Sequence, residues 1–101
     1  MALEVIDRQE LKGIFFFDPD DRIYADHFPG HPVVPGSMIV QAFMLAGTKL
    51  RCAGFPRAVE NFRFKKFIPP GEYAYHIALS RDGLKCTLYD GSSVVATGVL
   101  K

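Results

Sequence analysis

Apolar residues fall in six short runs and one long one along this chain. Residues 11–17, LKGIFFF, read as an aromatic-rich strand. Asp18, Pro19, Asp20 and Asp21 then make a turn, because proline fixes φ and aspartate side chains bond nearby backbone. Residues 22–25 read as a second, short strand leading into a loop stiffened by Pro29, Pro32 and Pro35. From Gly36 to about Cys52 the spacing predicts a helix. Its first eleven residues, GSMIVQAFMLA, are apolar on nearly every face, which predicts burial on nearly every face. Gly54 is placed to end it, with Pro56 beyond.

After the helix the period shortens to two. Residues 58–67 alternate around Phe62 and Phe64, and residues 72–81 put Tyr73, Tyr75, Ile77 and Leu79 on one face. Asp82-Gly83 and Asp90-Gly91 are hairpin signals bounding strands over 84–89 and 93–100. The order β-β-α-β-β-β-β predicts one α+β domain spanning 1–101, an antiparallel sheet around one long buried helix.

Composition changes this picture little. The 101 residues suffice for one domain, 49% are apolar, and nine Phe with four Tyr supply a heavy core. With 12 basic and 11 acidic residues the net charge is +1, which gives no argument for nucleic acid or a membrane surface. No apolar run approaches the roughly 20 residues of a membrane span, and the first ten residues do not read as a signal peptide. Cys52 and Cys86 have no metal-like or CxxC spacing, so they read as reduced thiols in a cytoplasmic protein.

Candidate chemistry concentrates between residues 27 and 41. Ser37 and Gln41 lie four apart on the helix, with Thr48 near the same face. This polar stripe either satisfies local backbone or lines a pocket. Pro35 and Gly36 open the helix, whose first N–H groups lack helical partners and suit an oxygen gaining negative charge. His27 is the acid-base candidate beside them. His31 cannot form a helical pair with it across Pro29 and Gly30, so no metal is expected. His76 sits mid-strand, and Arg63, Lys65 and Lys66 form the one dense basic run.

The stretch His27-Phe28-Pro29-Gly30-His31-Pro32-Val33-Val34-Pro35-Gly36 resembles the HFPGxPxxPG signature of β-hydroxyacyl-acyl-carrier-protein dehydratases of the FabZ and FabA type. Residues 62–72, with Pro70-Gly71-Glu72, are similar to that family's strand after the helix. The resemblance covers roughly residues 11–101. It implies a hotdog fold, a homodimer with sites between subunits, no cofactor, and an acyl thioester on acyl carrier protein as substrate. It implies His27 as base, the Gly36 N–H as oxyanion donor, and position 41 as the acid reaching across from the partner chain. Pro35, Ser37 and Phe28 would then line the substrate, and Arg63, Lys65 and Lys66 would greet the acidic carrier. The sequence departs from the pattern in two respects: position 41 is Gln, not Glu or Asp, and fewer residues stand before the His27 loop and between the helix and the second motif than the family usually has. Three activities are therefore open: dehydration with His27 shuttling the proton, acyl-thioester or carrier binding without turnover, and thioester hydrolysis.

Overall fold

A computed structural model describes residues 3–7, 10–26, 30, 32–49, 58–81 and 83–101, with the side chains of 3–7 and 25–26 left aside. The chain runs through β1 (Leu3–Asp7), β2 (Glu10–Phe17), a short helix α1 (Ile23–Asp26), the main helix α2 (Gly36–Gly47), β3 (Val59–Phe64), β4 (Gly71–Ser80), β5 (Gly83–Asp90) and β6 (Ser93–Leu100). All six strands form one antiparallel sheet in the order β1-β2-β4-β5-β6-β3. This is the α+β hotdog arrangement expected above, with α2 lying against the sheet.

Four elements differ from expectation, among them α2, which ends at Gly47 instead of about Cys52. Residues 22–25 do not make a strand. The Asp21 carboxylate accepts the Ile23 N–H at 3.1 Å, and the Tyr24 N–H reaches the Asp21 carbonyl at 3.1 Å. Asp21 thus starts a turn of helix instead of only closing a bend. The sixth strand is β1, for which the sequence offered no bounding turn. A further difference is in β3, which ends at Phe64 instead of 67. Its pairing slips between Glu60 and Arg63, where Asn61 has φ 54°. This bulge breaks the simple alternation on an edge strand, leaving Phe62 half-buried and Phe64 exposed.

The core sits between α2 and one sheet face. Period-two alternation sends Leu11, Phe15 and Phe17 from β2, Tyr75 and Ile77 from β4, and Leu84, Cys86 and Leu88 from β5 to the inside. Leu79, predicted to share that face, is exposed near the strand end. Phe43 from α2 has no exposed surface and meets Phe15 edge-on at 5.0 Å, Tyr75 at 6.1 Å and Phe62 at 5.9 Å. Phe15 and Tyr75 stack at 4.0 Å. The Phe62 ring occupies the space where a side chain at Gly98 would begin. Gly98 is therefore what lets the bulged strand fold its ring into the core.

Burial pushes the Cys86 thiol up to about 12, and the thiol rests 3.5 Å from the Leu84 carbonyl. Burial raises Tyr75 as well. For Cys86 the unfolded chain loses its proton first, so the stability it contributes is complete below pH about 9 and falls between about 9 and about 12. Cys86 is expected to resist a maleimide below pH 9 and to react fully in denaturant. Labelling of the folded chain at Cys86, located by peptide mass, would show that the β5 core is open.

Candidate active site

The start of α2 is held from two sides. The Val34 N–H donates to the Ile68 carbonyl at 2.8 Å, tying the entry loop to the segment after β3. The Phe64 ring lies 3.0 Å from where a Cβ on Gly36 would stand, so a glycine permits this contact. Pro35 precedes the helix in extended conformation at φ −61° and ψ 142°. Among the described residues no side chain caps the helix, and no acidic residue occupies its first turn. The N–H groups of Met38 and Ile39 turn back to the Pro35 carbonyl at 3.0 and 3.3 Å. The first-turn N–H groups of Gly36 and Ser37 precede them and have no carbonyl four residues back to bond within the helix.

Beside this helix start is an apolar cavity of about 260 Å³. Val34, Gly36 and Ile39 form one side, and Phe64, Phe67 and Ile68 the other. Phe67 is 85% exposed, an unusual position for so large an apolar ring. Among the described residues Lys66 is the one charged residue in the lining, and its Nζ reaches the Asp90 carboxylate at 3.2 Å. No carboxylate among the described residues lines the cavity. Uncapped backbone N–H groups beside an apolar cavity can polarise a carbonyl oxygen with little competition from water.

His27 and Phe28 lie outside the described residues, so their placement beside this helix start remains an expectation. The remaining residues divide. Pro35 and Gly36 line the cavity. Ser37 and Gln41 do not, and both are exposed. The expectation of a helix buried on nearly every side is corrected here. Within one chain α2 buries Ile39, Phe43, Ala46 and Gly47, while Ser37, Gln41 and Leu45 form a stripe of spacing four that faces outward. The sheet offers one surface, and among the described residues nothing covers the other side. Thr48 does not extend that stripe as a free hydroxyl, since its Oγ1 donates to the Leu45 carbonyl at 2.7 Å.

The basic run is not one patch. Lys66 lines the cavity at the helix start, whereas Arg63 sits in β3 opposite Thr97 and lines a separate groove on the sheet. Lys65 is exposed, its N–H bonded to the Val95 carbonyl at 2.8 Å. The β3 bulge and the bend after it separate residues adjacent in sequence. Sequence reasoning missed Phe64 and Phe67 as cavity walls, although the small Gly36 is a trace of the close approach of Phe64.

Among the described residues no group of three or more His, Cys, Asp or Glu could hold a metal, and no helix is long and apolar enough to cross a membrane.

Comparison with known proteins agrees with this geometry. The family model described as ApeI-like, ApeI dehydratase, matches residues 4–98. The 3-hydroxyacyl-[acyl-carrier-protein] dehydratase FabZ of Thermus thermophilus is 38% identical over 71 residues, covering 61% of this chain and 48% of that protein. The FabZ of Bordetella parapertussis is 28% identical over 110 residues, covering 93% and 72%. The chain spans about half the length of the first of these relatives. Among solved structures, the dehydratase heterocomplex ApeI:P from Xenorhabdus doucetiae superposes with a TM-score of 0.86 at 20% identity, over 100% of this chain and 93% of that one. An uncharacterized protein from Erwinia carotovora subsp. atroseptica superposes at 0.73 with 21% identity, over 100% and 89%.

Proposed function

Because the chain belongs to the ApeI-like dehydratase family, we propose that it works on a 3-hydroxyacyl or enoyl thioester carried by acyl carrier protein, at a site completed by a second chain. The observation that carries this reading is the uncapped start of α2 at Gly36 beside an apolar cavity, directly after the His27–Gly36 motif. The thioester oxygen accepts hydrogen bonds from the N–H groups at the helix start. His27 takes the proton from Cα, the electron pair forms the Cα–Cβ double bond, and the Cβ–O bond breaks. The proton carried by His27 goes to the departing oxygen, which leaves as water. Gln41 of the paired chain hydrogen-bonds that oxygen but supplies no proton, so turnover by this chain alone is slow.

The need for a second chain rests on exposed surface. Leu45 is 54% exposed on α2, Phe64 42% at the end of β3, and Phe67 85% beside the cavity. Gln41 is exposed and does not line its own cavity, so it is available to a neighbour's. The heterocomplex of the ApeI relative is a precedent for a partner other than a second copy. A partner with a carboxylate at the position of Gln41 would restore the acid.

The test follows enoyl absorbance with a short 3-hydroxyacyl thioester on carrier protein, alongside the mass of the chain in solution at micromolar concentration. Slow enoyl formation that disappears in His27→Ala, from a species of twice the chain mass, is the expected result. Free thiol released without enoyl product would make the protein a thioesterase. Binding of the acyl carrier with no turnover in either protein would make it a binding module. A monomer would remove the shared site.

A further inference from the structure

Tyr24, Tyr73 and Tyr75 are all buried, but they use their hydroxyls differently. Those of Tyr24 and Tyr75 have no hydrogen-bond partner among the described residues. The Tyr73 Oη–H donates to the Pro69 carbonyl at 2.5 Å. A phenylalanine would pack as well at position 73, where the nearest ring is that of Phe17 at 6.2 Å. The Tyr73 hydroxyl therefore serves Pro69 and not the packing.

Pro69 belongs to the segment 65–70, which joins β3 to β4 and carries Lys66, Phe67 and Ile68 of the cavity lining. Two consecutive prolines end this segment, and neither has an N–H to donate. Only carbonyl oxygens are left to tie its backbone down there. Tyr73, four residues on, takes the Pro69 carbonyl from the core side. One residue earlier, the Ile68 carbonyl accepts the Val34 N–H at 2.8 Å. Neighbouring carbonyls thus connect opposite ways: one to the core through Tyr73, the other to the entry loop two residues before Gly36. Pro69 is exposed, so without the Tyr73 hydroxyl its carbonyl is free to turn to water.

We propose, on the reading of this helix start as the thioester-oxygen site, that Tyr73 is a positioning residue. Its hydroxyl fixes the 65–70 segment, which through Ile68 and Val34 aims the first N–H groups of α2. The path is two hydrogen bonds joined by a single peptide unit, and both donors stand on buried residues. Tyr73 does not line the cavity, so it acts through these bonds and not by contact with an acyl group. Backbone donors stabilise developing charge by being fixed before it appears, so a displaced helix start slows the reaction without weakening the hold on the carrier. Burial first, then the charges of Asp90 and Tyr24, push the Tyr73 hydroxyl up, so it remains a donor well above neutral pH.

The experiment compares Tyr73→Phe with Tyr75→Phe, which removes a partnerless hydroxyl two residues along the same strand. Each variant is assayed for enoyl formation from the 3-hydroxyacyl carrier thioester, and each is ¹⁵N-labelled for amide shifts. In Tyr73→Phe, kcat should fall about tenfold or more with KM changed less than about twofold, since misplaced reacting geometry costs up to about 10² in rate. The amides of Val34, Gly36 and Ser37 should shift, while those of Leu84 to Thr87 stay and show that the variant folds. Tyr75→Phe should keep the parent's kcat and leave the amides of Val34, Gly36 and Ser37 in place. An unchanged kcat in Tyr73→Phe, unshifted amides at the helix start, or an equal loss in Tyr75→Phe would overturn the proposal. A rise of KM alone would overturn it too, since the segment would then shape the carrier contact and not the helix start. A parent without turnover would remove the dehydratase reading, and the three amides alone would then decide whether Tyr73 holds the helix start.

Discussion

Gln41→Glu is expected to raise the rate of enoyl formation by about 10²–10⁴, the usual contribution of a positioned general acid. The substitution changes one amide nitrogen for oxygen at an exposed position on α2, so folding should be unaffected. What it adds is a carboxyl group able to give a proton to the departing hydroxyl and remain as an anion. Glutamine can only hold that oxygen by hydrogen bonds. The rate gain should vanish in Gln41→Glu with His27→Ala, because the proton at Cα still needs a base. An unchanged rate in Gln41→Glu, in a sample of twice the chain mass, would refute the assignment of position 41 to the reacting hydroxyl. It would leave the helix-start cavity intact as a binding site, a distinction that acyl-carrier binding to the same variant reads directly.

Phe43→Ala should cost about 3–5 kcal/mol. Phe43 is fully buried and bridges the two halves of the core: Phe15 and Tyr75 on the central strands, and Phe62 on the bulged edge strand. Removing its ring leaves a void that three other rings cannot all relax into. Domains of this size have total stabilities of about 5–15 kcal/mol, so the loss is a large fraction. It should lower Tm by more than about 12 °C in a thermal melt. Phe43→Leu, which keeps most of the volume, should lose much less. A melt of Phe43→Ala within about 2 °C of the parent would mean that α2 does not pack on the sheet through this residue. The same change should also disturb the cavity at the helix start, since Phe62 and Phe64 lie two apart on β3 and their rings are 6.2 Å apart.

The order of strands and helix was legible because it depends on local period and punctuation. Tyr73, Tyr75 and Ile77 alternate, Asp90-Gly91 closes a hairpin with Gly91 at φ 61°, and Pro35-Gly36 opens a helix. The motif from His27 to Gly36 likewise identified the helix start as the place to look, and the Gln at 41 was plain from the letters alone. Residues 22–25 were misread because aspartate serves turns and helix caps equally well, and only the Asp21 bond to the Ile23 N–H distinguishes them.

What the sequence could not decide concerns which surfaces meet. A helix apolar on nearly every face says that it will be covered, not by what. Within one chain the sheet covers Ile39, Phe43 and Ala46, while the stripe through Ser37, Gln41 and Leu45 is left facing outward. Likewise, adjacency in sequence made Arg63, Lys65 and Lys66 look like one basic patch. The Asn61 bulge and the bend after β3 put Arg63 on the outer groove and Lys66 at the cavity. Local pattern determined the elements and the chemistry available at each position, because both depend on near neighbours in the chain. Which side chains share a site was decided by long-range pairing, because a one-residue slip in a strand moves every later side chain to the opposite face.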